Sequence, residues 1–472
     1  MTTHQRWTLA LTSVASLMVG LDALVVTTAL NTIRVQLGAS LEALGWTFNS
    51  YTLALAVFLL TAAVIGDRIG RRRLLIAGLT LFTVSSAACA LATGIGALIA
   101  ARAVQGVGAA MIMPAAFALL GVAFPPAQRG RAMGIFAGVT GLAILGGPVV
   151  GGAVVQGLTW QWIFWLNVPI GAALIPAVRR WVTESTGPAA QVDTAGVLLS
   201  GLGVLGLVLG LVRGNAIGWT SAEILGALLG GGALLAAFVG WELRTPQPMV
   251  PMRLFTRPGF GAANLAGLLM TAAIFGTAFF FAQYLQAGLH NTPLGSGLRL
   301  LPWTATLFVV APLAGARMSR IGERRLIVAG LLLAGIGLLW IALAAGAGAG
   351  YPALIGPMLL TGIGISAAMP AVQNAAISSV GPESIGTASG IYNALRQLGG
   401  SFGIAVTSAV FTVTGGYTST TAVQHGFRAA LLTAAAAAAL GALAGLGIAR
   451  HRPSAAMESV PAVAVEGAQA RG

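Results

Sequence analysis

Apolar residues occupy this chain in long blocks that short polar segments interrupt. Blocks of the ~18–25 residues needed to cross a bilayer fall near 8–30, 47–66, 74–93, 96–123, 132–157, 161–178 and 195–212. Seven more fall near 222–241, 261–286, 298–317, 326–347, 352–376, 387–413 and 428–449. In hydrocarbon only helices and closed barrels satisfy their own backbone, and blocks this long fit helices. The pattern predicts an all-α polytopic membrane protein with fourteen transmembrane helices. The longer polar segments, 181–194 and 244–260, bracket spans seven and eight.

One interruption stands out. Residues 63–73 run Ala-Val-Ile-Gly-Asp-Arg-Ile-Gly-Arg-Arg-Arg, so four arginines lie within six positions between two apolar blocks. Residues 315–325, Gly-Ala-Arg-Met-Ser-Arg-Ile-Gly-Glu-Arg-Arg, repeat it in weaker form. A loop that recurs in two hydrophobic halves indicates internal duplication, a common plan among transporters. The expected domains are therefore a six-helix bundle over 1–180, two inserted helices over 181–260, a second six-helix bundle over 261–450, and a disordered cytoplasmic tail over 451–472.

Composition agrees with the blocks. Of 472 residues 57% are hydrophobic and 8% charged, against roughly 25% charged in a soluble domain. The net charge of +14 would suggest nucleic acid in a soluble protein, but here it follows position. With the N-terminus in the cytoplasm, the arginine-rich loops at 68–73, 179–180 and 317–325 fall inside. Only Arg34, Arg213, Arg299 and Arg428 fall outside. That bias sets both termini in the cytoplasm, and an odd number of spans would mix the two sets. The first block is expected to remain as an uncleaved span, since no cleavage site leads into a polar mature start. The single Cys89 excludes an internal disulfide.

Three charges lie well inside spans: Asp22, Arg102 and Arg396. Each costs about 2.5–3.5 kcal/mol at a helix centre, which marks it as a functional candidate. Asp22 lies ~12 Å below the outer end of its span and Arg102 ~9 Å below the start of its own, so the two can share a depth. Desolvation and a neighbouring cation pull a carboxyl in opposite directions. An acid poised between them can take up and release a proton; the plain alternative is a carboxylate that only bonds neighbouring helices. Arg102 and Gln105 share a face, and Gly106, Ala109 and Ala110 permit close helix approach. Asp67 is not needed for topology and reads as an interhelical latch with the arginines beside it. Gly147, Pro148, Gly151 and Gly152 suggest a kinked, tightly packed helix. Gln105, Met113, Asn264, Gln283, Tyr284, Gln286, Trp303, Gln373, Asn374, Asn393 and Arg396 are candidates to line a substrate cavity. No catalytic or metal-binding constellation is present, so neither an enzyme nor a cofactor is expected.

These residues together resemble the major facilitator superfamily, in its fourteen-span drug:proton antiporter family, over about residues 8–450. The most specific match is Asp67-Arg68-x-Gly70-Arg71-Arg72. Arg102-x-x-Gln105-Gly106-x-Gly108-Ala109-Ala110 is similar to the fourth-helix motif, and Gly147-Pro148-x-x-Gly151-Gly152 to the antiporter motif of the fifth. Leu21-Asp22-x-x-Val25-Val26, the stretch Trp160 to Gly171, Gln283-Tyr284-Leu285-Gln286 and Arg396-Gln397-Leu398-Gly399-Gly400 also resemble family signatures. The resemblance implies two bundles rocking about a central cavity. Asp22 would be the protonatable acid, Arg102 its relay and Asp67 the latch of one facing state. There are departures: Ala63, Thr27, Asn31 and Gln161 replace expected residues, and Ser319 replaces the acid in the second loop.

The expectation is a proton-driven exporter of small, largely apolar organic compounds in a bacterial inner membrane, monomeric and powered by the proton gradient. The alternatives are a proton-coupled importer or facilitator and a non-transporting sensor or scaffold. With no further acid well inside spans two to fourteen, strongly cationic substrates are disfavoured.

Overall fold

A computed structural model describes residues 1–187, 193–257, 259–346, 350–381 and 384–449. The expected tail 451–472 lies outside them. Fourteen helices among the described residues are long and apolar enough to span a membrane. The first six are α1 (Thr3–Leu37), α2 (Leu41–Ile69), α3 (Arg71–Ala90), α4 (Ile95–Ala123), α5 (Ala132–Gly157) and α6 (Trp162–Trp181). Two follow, α7 (Thr194–Ile217) and α8 (Ala222–Glu242). The last six are α9 (Phe260–Gly288), α10 (Pro293–Met318), α11 (Glu323–Ala345), α12 (Pro352–Ser378), α13 (Thr387–Thr414) and α14 (Thr420–Gly445). Several overrun the apolar blocks, α1 by a turn or more at each end, because backbone hydrogen bonding continues past the hydrocarbon boundary.

Capping residues place the breaks. Gly38 at φ 59° ends α1, and Ser40 accepts the Ala43 N–H at the start of α2. Asp193 accepts the Gly196 N–H at 2.8 Å to open α7. The duplicated loop is a matched pair of turns. Gly70 (φ 110°) joins α2 to α3 and Gly322 (φ 88°) joins α10 to α11. Each donates its N–H four residues back, to Gly66 and Met318.

The first six helices form one bundle and the last six another. The bundles meet along α2 and α13, α5 and α10, and α1 and α9. The inserted pair α7–α8 lies outside both. Val204, Val208 and Val212 of α7 pack against Leu53 of α2 and Ala405 of α13, and Arg213 pairs with Glu42 of α2 at 3.1 Å. α8 packs on α7 and otherwise presents apolar side chains outward, as a lipid-facing helix does.

Small residues let α4 sink between its neighbours. A Cβ on Gly106 would press into the Tyr51 backbone and stand 3.0 Å from the Ala54 Cβ, and one on Gly108 would stand 2.7 Å from the Phe82 nitrogen. This is the association mode of helices that have no hydrophobic drive in lipid.

Gly106→Val is therefore expected to destabilise the protein by about 1–3 kcal/mol, seen as a lower melting temperature in detergent micelles. Gly226→Val on α8, where a Cβ meets open space, should leave melting unchanged or slightly raised. Equal effects at the two sites would contradict the packing assigned to α4.

Candidate functional site

The close approach of α4 to α2 and α3 brings the two deepest charges together. The Arg102 guanidinium, fully buried, donates from Nη1 to Asp22 Oδ2 on α1. The same nitrogen reaches Gln105 Oε1 at 2.7 Å, and Nε reaches the Thr47 carbonyl oxygen at 3.3 Å. Its plane lies 4.2 Å from the Tyr51 ring centroid, a face that attracts a desolvated cation. The second carboxylate oxygen, Asp22 Oδ1, accepts from Gln105 Nε2 and from Asn167 Nδ2, both at 2.9 Å. Asn167 on α6 also reaches Ser86 Oγ of α3 at 3.1 Å. Five helices thus converge on one carboxylate–guanidinium pair whose acid is 3% exposed.

This arrangement answers the energetic problem of two charges at membrane depth. Alone, either would face a desolvation penalty of several kcal/mol, and paired with further hydrogen bonds each is compensated. Gln105, expected in a substrate cavity, belongs to this cluster. Asn167, Ser86, Thr47 and Tyr51 were not singled out as its members. The signal for Asn167 was a lone amide inside an otherwise apolar block.

Asp22 does not face the cavity between the bundles. That cavity is walled on α1 by Leu24 and Thr27, two and five residues on, which the helical repeat of 100° per residue turns well away from Asp22. From the other bundle come Phe275, Trp303, Met369 and Arg396. Of the expected cavity residues, Trp303 and Arg396 are therefore in its walls. The structure places the others elsewhere. Asn264, Gln283 and Asn393 each donate one turn back along their own helices, to Phe260, Phe279 and Ser389. Tyr284 stacks on Phe427 with centroids 4.1 Å apart, and Met113 packs in the core of the first bundle. Gln373 is exposed, and Asn374 bonds Glu323. A long polar side chain in a helix surrounded by helices finds its partner on its own backbone as readily as in a cavity.

At one end of the molecule the bundles touch through glycines and an amide. Gly147 packs on Leu24, where a Cβ would stand 2.7 Å from the Leu24 Cβ; at Gly151 it would stand 2.6 Å from the Val25 carbonyl oxygen. At Gly152 it would stand 2.8 Å from Leu294 Cα of α10, and Gly297 lies against the Pro148 backbone. Near Tyr284–Gly288 the α9 helix widens, Leu289 N–H reaching Tyr284 oxygen five residues back, and Gln286 there donates to Thr28 oxygen of α1 at 2.9 Å.

The arginine-rich turn lies at the opposite end. Arg71 Nε donates to Asp67 Oδ1 at 2.8 Å across the Gly70 turn. Glu184, just past α6, was not anticipated. It accepts the Arg72 and Arg73 backbone N–H groups at 2.8 and 3.3 Å and stands 3.8 Å from the Arg72 and Arg73 Nε atoms. A carboxylate there satisfies the free N–H groups that open α3 and meets the positive end of its dipole. Gly187 N–H in turn donates to the Asp67 backbone oxygen. Arg68, at the last turn of α2, is an exposed residue of this turn. The segment after α6 thus clamps the Asp67 turn within the first bundle.

The whole chain is similar to known proteins. A sequence profile described as Major Facilitator Superfamily matches residues 12–404, with a second match at 263–465. The chain is 35% identical over 408 residues to the Multidrug resistance protein Stp of Mycobacterium tuberculosis (strain CDC 1551 / Oshkosh), covering 86% of this chain and 76% of that protein. It is 34% identical over 402 residues to the Tetracenomycin C resistance and export protein of Streptomyces glaucescens, covering 84% and 74%. Among solved structures, a POT family transporter in complex with a thioalcohol conjugated peptide superposes with a TM-score of 0.70 at 17% identity, over 92% of this chain and 94% of that one.

The buried pair makes its own prediction. Arg102→Met should destabilise by about 3–5 kcal/mol, because it leaves a buried carboxylate uncompensated. Adding Asp22→Asn to Arg102→Met should recover part of that loss. Thermal unfolding in micelles decides it, and additive losses would mean that the two side chains are not energetically coupled.

Proposed function

Because this chain belongs to the Major Facilitator Superfamily, we propose that it exports small, largely apolar organic compounds from bacterial cytoplasm in exchange for protons. The relatives named for multidrug resistance and for tetracenomycin C resistance and export favour that direction. The observation that carries the reading is the Asp22–Arg102 pair, sealed inside the first bundle, whose acid lies on the same helix, α1, that supplies Leu24 and Thr27 to the cavity wall.

Protonating Asp22 removes the charge that compensates Arg102. The guanidinium keeps Gln105, the Thr47 oxygen and the Tyr51 face, but a cation with no anion in this surrounding is costly. α1 is then released from α4, and the wall it gives to the cavity moves with it. Substrate and proton are coupled through one helix rather than by competing for one site. Arg102 acts as the partner whose strain drives the step.

Arginine bias puts the Asp67 turn and both termini in the cytoplasm, with the protein in the inner membrane. The end where α5 meets α10 and Gln286 meets Thr28 then faces outward, so this conformation is shut toward the outside. Pro148 and Gly152 serve that closure by allowing backbone contact with α10, while Gly147 and Gly151 seat α5 closely on α1. Asp67, Arg68, Gly70, Arg71 and Arg72 form the cytoplasmic latch, and Glu184, just past α6, clamps it.

In proteoliposomes with an imposed pH gradient, Asp22→Asn should lose gradient-driven dye export by about ten-fold or more, as expected when a proton carrier is removed. It should retain downhill counterflow, which also reports that the variant is folded. Undiminished gradient-driven export would overturn the assignment of Asp22. Glu184→Gln and Asp67→Ala should each slow turnover several-fold with substrate affinity nearly unchanged; full turnover in both would remove the latch.

A further inference from the structure

We propose that the central cavity selects organic anions, with Arg396 of α13 receiving the carboxylate of a compound whose remainder is apolar or aromatic. The proposal deepens the efflux reading and rests on it. Arg396 lines the cavity, and among the described residues no ion pair or hydrogen bond engages its guanidinium.

The described acids are committed elsewhere. Asp22, Asp67 and Glu184 pair with arginines of the first bundle, and Glu42 and Glu223 share Arg213. Asp193 and Glu242 hold backbone N–H groups at the ends of the inserted helices. Glu323 holds Asn374 and Ser378. Asp22, the described acid deepest in a span, faces the interior of the other bundle and is spent on Arg102. Among the described residues the cavity therefore carries an unbalanced positive charge.

The hydroxyls of its walls are engaged within the protein, Ser366 of α12 with Thr306 of α10 at 3.2 Å. Thr27, Thr271 and Thr304 donate to the carbonyl oxygens of Leu24, Gly267 and Leu300. Arg396 is thus the one charged donor among the described residues of these walls. Around it stand Phe275, Trp303, Met270, Leu307 and Ile365, a lining that receives rings and alkyl groups. A guanidinium in such surroundings binds a carboxylate through two parallel N–H···O bonds, strengthened by the low local dielectric. A cationic compound would meet like charge and no carboxylate, and a neutral one would leave the guanidinium unpaired.

Pyrenebutyrate and its methyl ester share one apolar body and differ in the anion. Equilibrium binding to purified protein in zwitterionic micelles should favour the acid by about ten-fold or more. Arg396→Met should abolish that preference while ester binding changes little, and Arg396→Lys should restore part of it. Equal binding of acid and ester by the native chain, or an Arg396→Met variant that weakens both alike, would overturn the proposal. So would a preference for the acid that vanishes on adding phosphatidylglycerol, since a lipid headgroup would then be the resident anion. Binding in micelles requires no transport. A chain that binds the acid selectively yet moves neither compound in proteoliposomes would refute export and leave the anion site standing.

Discussion

A carboxylate and a guanidinium, each too costly to leave alone at membrane depth, hold the first bundle in register. The pair draws on α1 and α4 for its charges, on α2 for a carbonyl and an aromatic face, and on α3 and α6 through Asn167 and Ser86. Replacing such an arrangement by apolar side chains need not weaken a fold. The pair therefore adds less to stability than the removal of either partner alone would cost.

Contacts at the two ends use different physics. Where α5 meets α10, glycines bring backbones together and dispersion acts over short distances, a contact that either forms fully or opens. Around Gly70, charged side chains and helix-opening N–H groups carry the contact, and Asp67, Arg71 and Glu184 remain partly open to solvent. Such bonds are individually modest and exchange readily with water. The first contact joins the two bundles and the second holds a turn within one of them.

Charge is distributed with comparable economy. Among the described residues, acids sit against arginines, helix starts or amides, while the cavity keeps one cation without a counter-charge. The duplicated turns show the same drift between halves. Gly70 and Gly322 adopt similar backbone geometry, but the first half holds its turn with Asp67 and Glu184. The second instead sends Glu323 to Asn374 and Ser378 on α12.

The number and order of the helices, the paired glycine turns and the identity of the two deep charges were legible in the chain. Spanning lipid is a local property: each helix satisfies its own backbone, so an apolar block of sufficient length declares itself without reference to its neighbours. Rotation about each helix axis is not local. Helices apolar on every side carry no amphipathic stripe to say which face turns inward, so side-chain destinations depended on packing. Tertiary structure alone turned Asp22 away from the cavity, drew Gln105 and Asn167 to its carboxylate, and sent Gln286 across to Thr28. It also placed Glu184 on the start of α3 and, among the described residues, left Arg396 without an anion.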